Sequence, residues 1–170
     1  MNSTNDLKNI TLIGMPFSGK STIGKIISGK LNYQFIDIDT YIEKKYNMIL
    51  SKVVETFGNE NFNKIEENAM LDMSGNYNIF STGGSVIYCE EGMKYLSKIS
   101  TIIFLDLDLD SLIARMNKTE MKDRGIVFKP GQSFESLFAE RIPLYKKYSH
   151  KTVNCCKLTA EQIAEKIINS

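Results

Sequence analysis

The segment Gly14-Met15-Pro16-Phe17-Ser18-Gly19-Lys20-Ser21 fits G-x-x-x-x-G-K-[ST], the spacing of a phosphate-binding P-loop. In such a loop, backbone N–H groups and the positive end of the following helix surround a phosphate chain. Lys20 then reaches the β- and γ-phosphates, and the Ser21 hydroxyl ligates Mg²⁺. The flanks supply the context this loop requires. Residues 10–13 form an apolar run that reads as a buried strand, and Thr22, Ile23, Ile26 and Ile27 recur at helical spacing. A glycine turn that binds nothing is the competing reading, and the order strand, loop, helix argues against it.

Other residues with chemical potential stand at odd places. Asp37 and Asp39 follow the second apolar run; if strand geometry continues there, both side chains point the same way. One carboxylate then serves Mg²⁺ and the other accepts or orients a substrate hydroxyl proton, against the plainer role of capping a turn. Glu66 falls on the apolar stripe Phe62, Ile65, Ala69, Met70, Met73. A carboxylate there is either paired, because burying it alone is costly, or snorkelling at a rim. Arg141 lies on the stripe of Phe134, Leu137, Phe138, Leu144, Tyr145 and Tyr148. A guanidinium there wants an anion: Glu66 in a core salt bridge, a substrate carboxylate or a phosphate. Pro143 is expected to bend or interrupt that helix. Arg115 either stacks on a nucleobase or faces solvent.

The elements that must position these residues alternate. Strands are expected over 9–13, 33–36, 77–81, 101–105 and 151–153. Helices are expected over 20–31, 39–46, 52–57, 60–73, 91–96, 110–116, 134–147 and 160–168. Alternation means a parallel sheet with helices on both faces, and right-handed crossovers bring all strand C-terminal ends to one edge, where ligands bind. The P-loop, Asp37-Ile38-Asp39, Ser81-Thr82-Gly83-Gly84-Ser85 and Asp106 all follow strands, so they converge. The mostly helical stretch between strands two and three is long enough to cover a second substrate. Residues 119–133 are polar, carry Arg124 among several cations and lack apolar periodicity, which suits a lid over phosphates.

Composition bounds the rest. The chain has 170 residues, one domain's worth, and a net charge of +1, which gives no bulk attraction to nucleic acid or anionic membrane. No apolar run approaches a membrane span and residues 1–8 lack an apolar signal core, so a cytoplasmic protein is expected. Cys89, Cys155 and Cys156, with His150 the single histidine, offer neither a disulfide framework nor zinc spacing; buried reduced thiols are expected.

Taken together these stretches resemble the shikimate kinases, from Ile10 to about Val153. They are the P-loop through Gly24, Phe35-Ile36-Asp37-Ile38-Asp39 with Tyr41-Ile42-Glu43, Gly58-Asn59-Glu60-Asn61-Phe62 with Glu66, Ser81-Thr82-Gly83-Gly84, and Arg141-Ile142-Pro143-Leu144-Tyr145. The P-loop alone is widely shared; the ordered set is far more specific. The resemblance implies an α/β, three-layer P-loop kinase fold: a five-stranded parallel sheet of order 2-3-1-4-5 in one domain over 1–170. A substrate-binding helical insertion at about 39–73 and a lid loop at about 118–132 go with it. It implies transfer of the ATP γ-phosphate to the 3-hydroxyl of shikimate, with Mg²⁺, by a cytoplasmic monomer that engages neither nucleic acid nor membrane. ATP falls to Phe17, Ser18, Gly19, Lys20, Ser21 and Thr22, with Arg115 and the lid residue Arg124; the metal falls to Ser21 and, through water, Asp37. Asp39 holds the acceptor hydroxyls and serves as base, Gly83 and Gly84 present backbone to the substrate, and Arg141 pairs with its carboxylate. Lys20, Asp39 and Arg124 are the catalytic set.

The chain also departs from the family pattern. Asn63 stands where the family motif has an arginine that helps bind the substrate carboxylate. Losing a charge-assisted bond there costs about 1.5–3 kcal/mol. Lys64 points roughly 100° away around the helix. Val54 replaces an aromatic, Ser85 ends the glycine run, Gly125 follows Arg124 where a proline is usual, and Phe17 replaces a small residue. The alternatives are a same-fold kinase for another hydroxylated acceptor, such as gluconate or a nucleoside monophosphate, and a non-catalytic nucleotide-binding regulator. The lack of any arginine between Tyr41 and Tyr77 disfavours a nucleotide acceptor.

Overall fold

The protein is described by a computed structural model over residues 8–118, 126 and 128–170. The N-terminal lead-in, Arg124, Gly125 and most of the expected lid lie outside those residues. Five strands, β1 (Ile10–Ile13), β2 (Gln34–Asp37), β3 (Asn78–Ser81), β4 (Thr101–Asp106) and β5 (Lys151–Asn154), form one sheet in the order β2-β3-β1-β4-β5. Every pairing is parallel. The central strands read as continuous apolar runs because both faces are covered: Leu12, Ile13, Ile79, Phe80, Ile102 and Phe104 are all buried.

The helices are α1 (Lys20–Leu31), α2 (Ile38–Tyr46), α3 (Leu50–Leu71), α4 (Glu90–Ile99), α5 (Leu109–Asn117), α6 (Phe134–Tyr148) and α7 (Ala160–Ile168). Helix α1 packs on α7, and α3 packs on both α2 and α4. The two helices expected over 52–57 and 60–73 abut as α3, broken at Gly58, whose φ of 74° and ψ of 162° are not helical. That φ falls in the region where glycine costs least. Pro143 does not interrupt α6. Pro143 and Ala139, whose carbonyl loses its partner, are both exposed, so water can take up the lost bond. Of the three free cysteines Cys89 and Cys155 are buried as expected, whereas Cys156 is half-buried and donates to Asp108 Oδ2 at 2.9 Å. Among the described residues no helix is long and apolar enough to cross a membrane.

Candidate active site

The loop between β1 and α1 is held by its own backbone. Ser18 N donates to Met15 O at 3.2 Å, and Gly14 and Gly19 adopt φ of 151° and 94°. A Cβ on Gly14 would stand 3.0 Å from both Leu105 O and Ser18 Oγ, so only glycine fits. Phe17 sits at φ 69° without being glycine, a strain of order 1–3 kcal/mol that its surroundings must hold. They do: its ring lies 6.2 Å from that of Phe134, and Arg115 Nη1 donates to Phe17 O and Ser18 O, both at 3.2 Å. Arg115 therefore braces the loop rather than facing solvent.

This loop fits a polyphosphate. Helix α1 follows its N-cap Gly19 with no side-chain cap and no acidic residue in its first turn, so its positive end is not neutralised by a neighbouring carboxylate of that turn. Ser18 Oγ is buried without a hydrogen-bond partner. Lys20, 8% exposed, curls back so that Nζ donates to Gly14 O at 2.8 Å and Met15 O at 2.9 Å, which brings its charge over the loop.

The metal candidates meet beside it. Ser21 Oγ donates to Asp37 Oδ2 at 2.7 Å and lies 3.2 Å from Ser81 Oγ. One hydroxyl and one carboxylate, both hard oxygen donors, suit Mg²⁺, which keeps most of its shell as water and phosphate. The extended geometry does not carry on to Asp39. Asp37 ends β2 and caps α2, accepting from Thr40 N at 3.2 Å, so Asp39 belongs to the first helical turn. The strand-face relation between the two aspartates is thus replaced by a cap: one carboxylate does the turn-capping job with Oδ1 and holds Ser21 with Oδ2.

Lys20, Asp39, Gly83 and Arg141 all open onto one cleft of about 620 Å³. Asp39 Oδ1 is buried with no hydrogen-bond partner. Burial, then the neighbouring Asp37, pushes the Asp39 carboxyl up to about 7, with Lys20 opposing. Glu66, 1% exposed, is paired and does not snorkel: Oε2 accepts from Ser85 Oγ at 2.6 Å. Burial raises it too, with Asp39 adding to the rise and Arg141 opposing. A Cβ on Gly83 would lie 2.7 Å from Glu66 Oε1 and 2.9 Å from Asp39 Oδ1; one on Gly84 would lie 2.9 Å from Arg141 Nη1. The glycine turn is therefore where both acids and the arginine come close to backbone. Gly83→Ala is expected to splay these carboxylates and raise KM for the acceptor while ATP affinity holds, as read by steady-state kinetics in each substrate.

Asn63 is not among the residues that line the cleft. Phe62 and Glu66, one turn apart, face it, and Asn63 is rotated by about 100° to a half-buried position where Oδ1 finds no partner. Ser18 is likewise buried and off the cleft lining, whereas Phe17, Gly19, Ser21, Thr22, Gly84 and Arg115 reach the cleft. Arg124 lies outside the described residues. Sequence reasoning missed Tyr88 and Glu140. Tyr88 OH donates to Glu140 Oε1 at 2.5 Å and accepts from Arg141 Nε at 3.4 Å. Fifty-two residues separate the first pair, so no local spacing announces it.

The phosphate cradle lies at one end of the cleft and the acids and arginine at the other, and the chain as a whole is similar to known proteins. The family model described as shikimate kinase matches residues 16–170. The chain is 34% identical over 163 residues to a shikimate kinase of Thermodesulfovibrio yellowstonii, covering 95% of this chain and 94% of that one. It is 35% identical over 160 residues to a shikimate kinase of Staphylococcus haemolyticus, covering 94% and 92%. Its fold is similar to that of the shikimate kinase from Acinetobacter baumannii solved in complex with shikimate. The TM-score is 0.87 at 26% identity, over 96% of this chain and 92% of that one. With the family model matching most of the chain and relatives more than 30% identical over nearly its full length, this chain belongs to the shikimate kinase family.

Proposed function

We propose that the protein transfers the γ-phosphoryl group of ATP to the 3-hydroxyl of shikimate, as a cytoplasmic monomer acting on a free small molecule. One observation carries this: Lys20, in a loop built for phosphates, and Asp39, with an unpartnered buried carboxylate oxygen, face the same cleft as Arg141. MgATP supplies the phosphoryl group and the metal charge that neutralises it. The chain supplies position and electrostatics, most of what phosphoryl transfer asks of a protein.

The loop N–H groups and Lys20 fix the phosphate end. Ser21 and Asp37 are the residues that would hold Mg²⁺. At the other end Arg141 takes the acceptor's carboxylate, and the backbone at Gly83 and Gly84 lets the ring approach. Asp39 orients the hydroxyl and accepts its proton at Oδ1. Its raised affinity for protons, caused by burial beside Asp37, makes it a stronger base than a solvated aspartate and matches it to neutral pH.

That match gives a pH prediction. Asp39 must be ionised to act, so kcat/KM for the acceptor should fall about tenfold per unit as pH drops below about 7. Asp39 and Glu66 face one another across Gly83, so the profile reports the pair together. A flat profile from about pH 5.5 to 8 would contradict the assignment.

The activity itself is tested by coupled detection of ADP with shikimate, gluconate and other hydroxylated acids, each with and without Mg²⁺. Turnover should require Mg²⁺ and favour shikimate. Asn63→Arg, whose longer side chain can swing toward the cleft, is expected to lower KM for shikimate by about tenfold by adding a charge-assisted bond. An unchanged or higher KM would mean that Asn63 does not mark a lost contact.

A further inference from the structure

Arg141 is buried to 1% exposure, and a buried guanidinium is useful as an anion receptor only if its planar fork is held in one orientation. The contacts seen at its Nε side contribute to that hold. Nε donates to Tyr88 OH at 3.4 Å, and the guanidinium carbon lies 5.4 Å from the centre of the Tyr88 ring. Tyr88 follows the Gly83-Gly84 turn on a short 3₁₀ segment, Val86–Tyr88, so its ring is anchored to the same backbone that faces the cleft.

The Tyr88 hydroxyl has a fixed polarity. Its hydrogen is committed to Glu140 Oε1, which leaves its oxygen as acceptor toward Arg141. Glu140 is pinned in turn: Oε2 accepts from Lys129 Nζ and from Gln132 Nε2, both at 3.0 Å. Hydrogen bonds from Tyr88 and Lys129 hold the Glu140 carboxyl below its ordinary range, so it carries charge at neutral pH. The result is a directional chain, Arg141 to Tyr88 to Glu140. It places a counter-charge behind the arginine on its Nε side, while Nη1 lies against Gly84 at the cleft. Asn63 brings no charge to the cleft, so the aim of Arg141 weighs heavily at the acceptor end.

We propose that Tyr88 and Glu140 are positioning residues that aim Arg141 at the acceptor carboxylate and so set the preference for an acidic over a neutral acceptor. This rests on the role given to Arg141 under Proposed function. Neither residue touches the reacting atoms.

The test compares Tyr88→Phe, which keeps the ring and removes the hydroxyl, with Glu140→Gln, which keeps the shape and removes the charge. Each is assayed on shikimate and on the uncharged amide of shikimate. KM for shikimate should rise about three- to tenfold in either variant, the loss lying in KM rather than kcat, with KM for ATP and KM for the amide unmoved. The double variant should lose less than the product of the two single losses, because both act through one chain. Melting temperatures check folding, and Glu140, on the surface side of the chain, supplies a variant that should fold even if Tyr88→Phe does not. No change in KM for shikimate, or equal changes for shikimate and its amide, would overturn the inference. Arg141→Lys separates the two levels. If it penalises shikimate selectively while Tyr88→Phe and Glu140→Gln do not, only the positioning inference fails. If it leaves shikimate and amide equally used, the carboxylate role of Arg141 fails with it.

Discussion

Asp39→Asn is expected to lower kcat by about 10²–10⁴-fold while leaving ATP affinity unchanged, the loss characteristic of removing a positioned general base. The substitution is nearly isosteric, so the first turn of α2 and the cleft shape should survive. What is lost is the proton acceptor at Oδ1, which is buried without a partner of its own. Asparagine could still hold the hydroxyl but not take its proton. Kinetics should therefore show the change in kcat, with KM for the acceptor moving far less. A titration with a fluorescent ATP analogue checks that the phosphate end is intact. Normal turnover by Asp39→Asn would remove Asp39 from the mechanism.

Lys20→Ala should abolish detectable turnover, a loss of at least about 10²–10³-fold by comparison with deleting one donor from a preorganised anion site. Two effects combine. The charge over the loop disappears, and so do the bonds from Nζ to Gly14 O and Met15 O that strap the loop together. Unlike the change at Asp39, this one should weaken ATP binding as well as chemistry. Comparing the two variants by the same fluorescence titration and ADP assay separates the nucleotide end of the cleft from the acceptor end. Retained turnover in Lys20→Ala would mean that phosphate is held elsewhere.

The frame was legible because its signals are local. The P-loop sits between an apolar run and a 3.6-period stripe, and the central strands lack polar alternation, as strands covered on both faces must. Glu66 and Arg141 betrayed themselves as charges on apolar stripes, and both are buried in the site. The Asp37–Asp39 pair was harder. Its spacing suggests a shared strand face, but Asp37 is a helix cap, and capping turns the chain one residue too early for strand periodicity to apply. Asn63 shows the limit of motif transfer: the motif places it beside the substrate, yet the helical angle from Phe62 turns this shorter side chain away from the cleft wall. Tyr88 and Glu140 left no trace in sequence because their meeting depends on where the glycine turn and α6 dock.

The most direct test is to incubate the protein with ATP, Mg²⁺ and shikimate and to follow the phosphorus by ³¹P NMR. One phosphomonoester on the 3-hydroxyl of shikimate should form per ADP released, and neither should form when Asp39→Asn replaces the native chain over the same time. ATP that binds without shikimate-dependent ADP, or a phosphorylated product that forms equally well with Asn at position 39, would contradict a cleft in which Lys20 and Asp39 work on one bond.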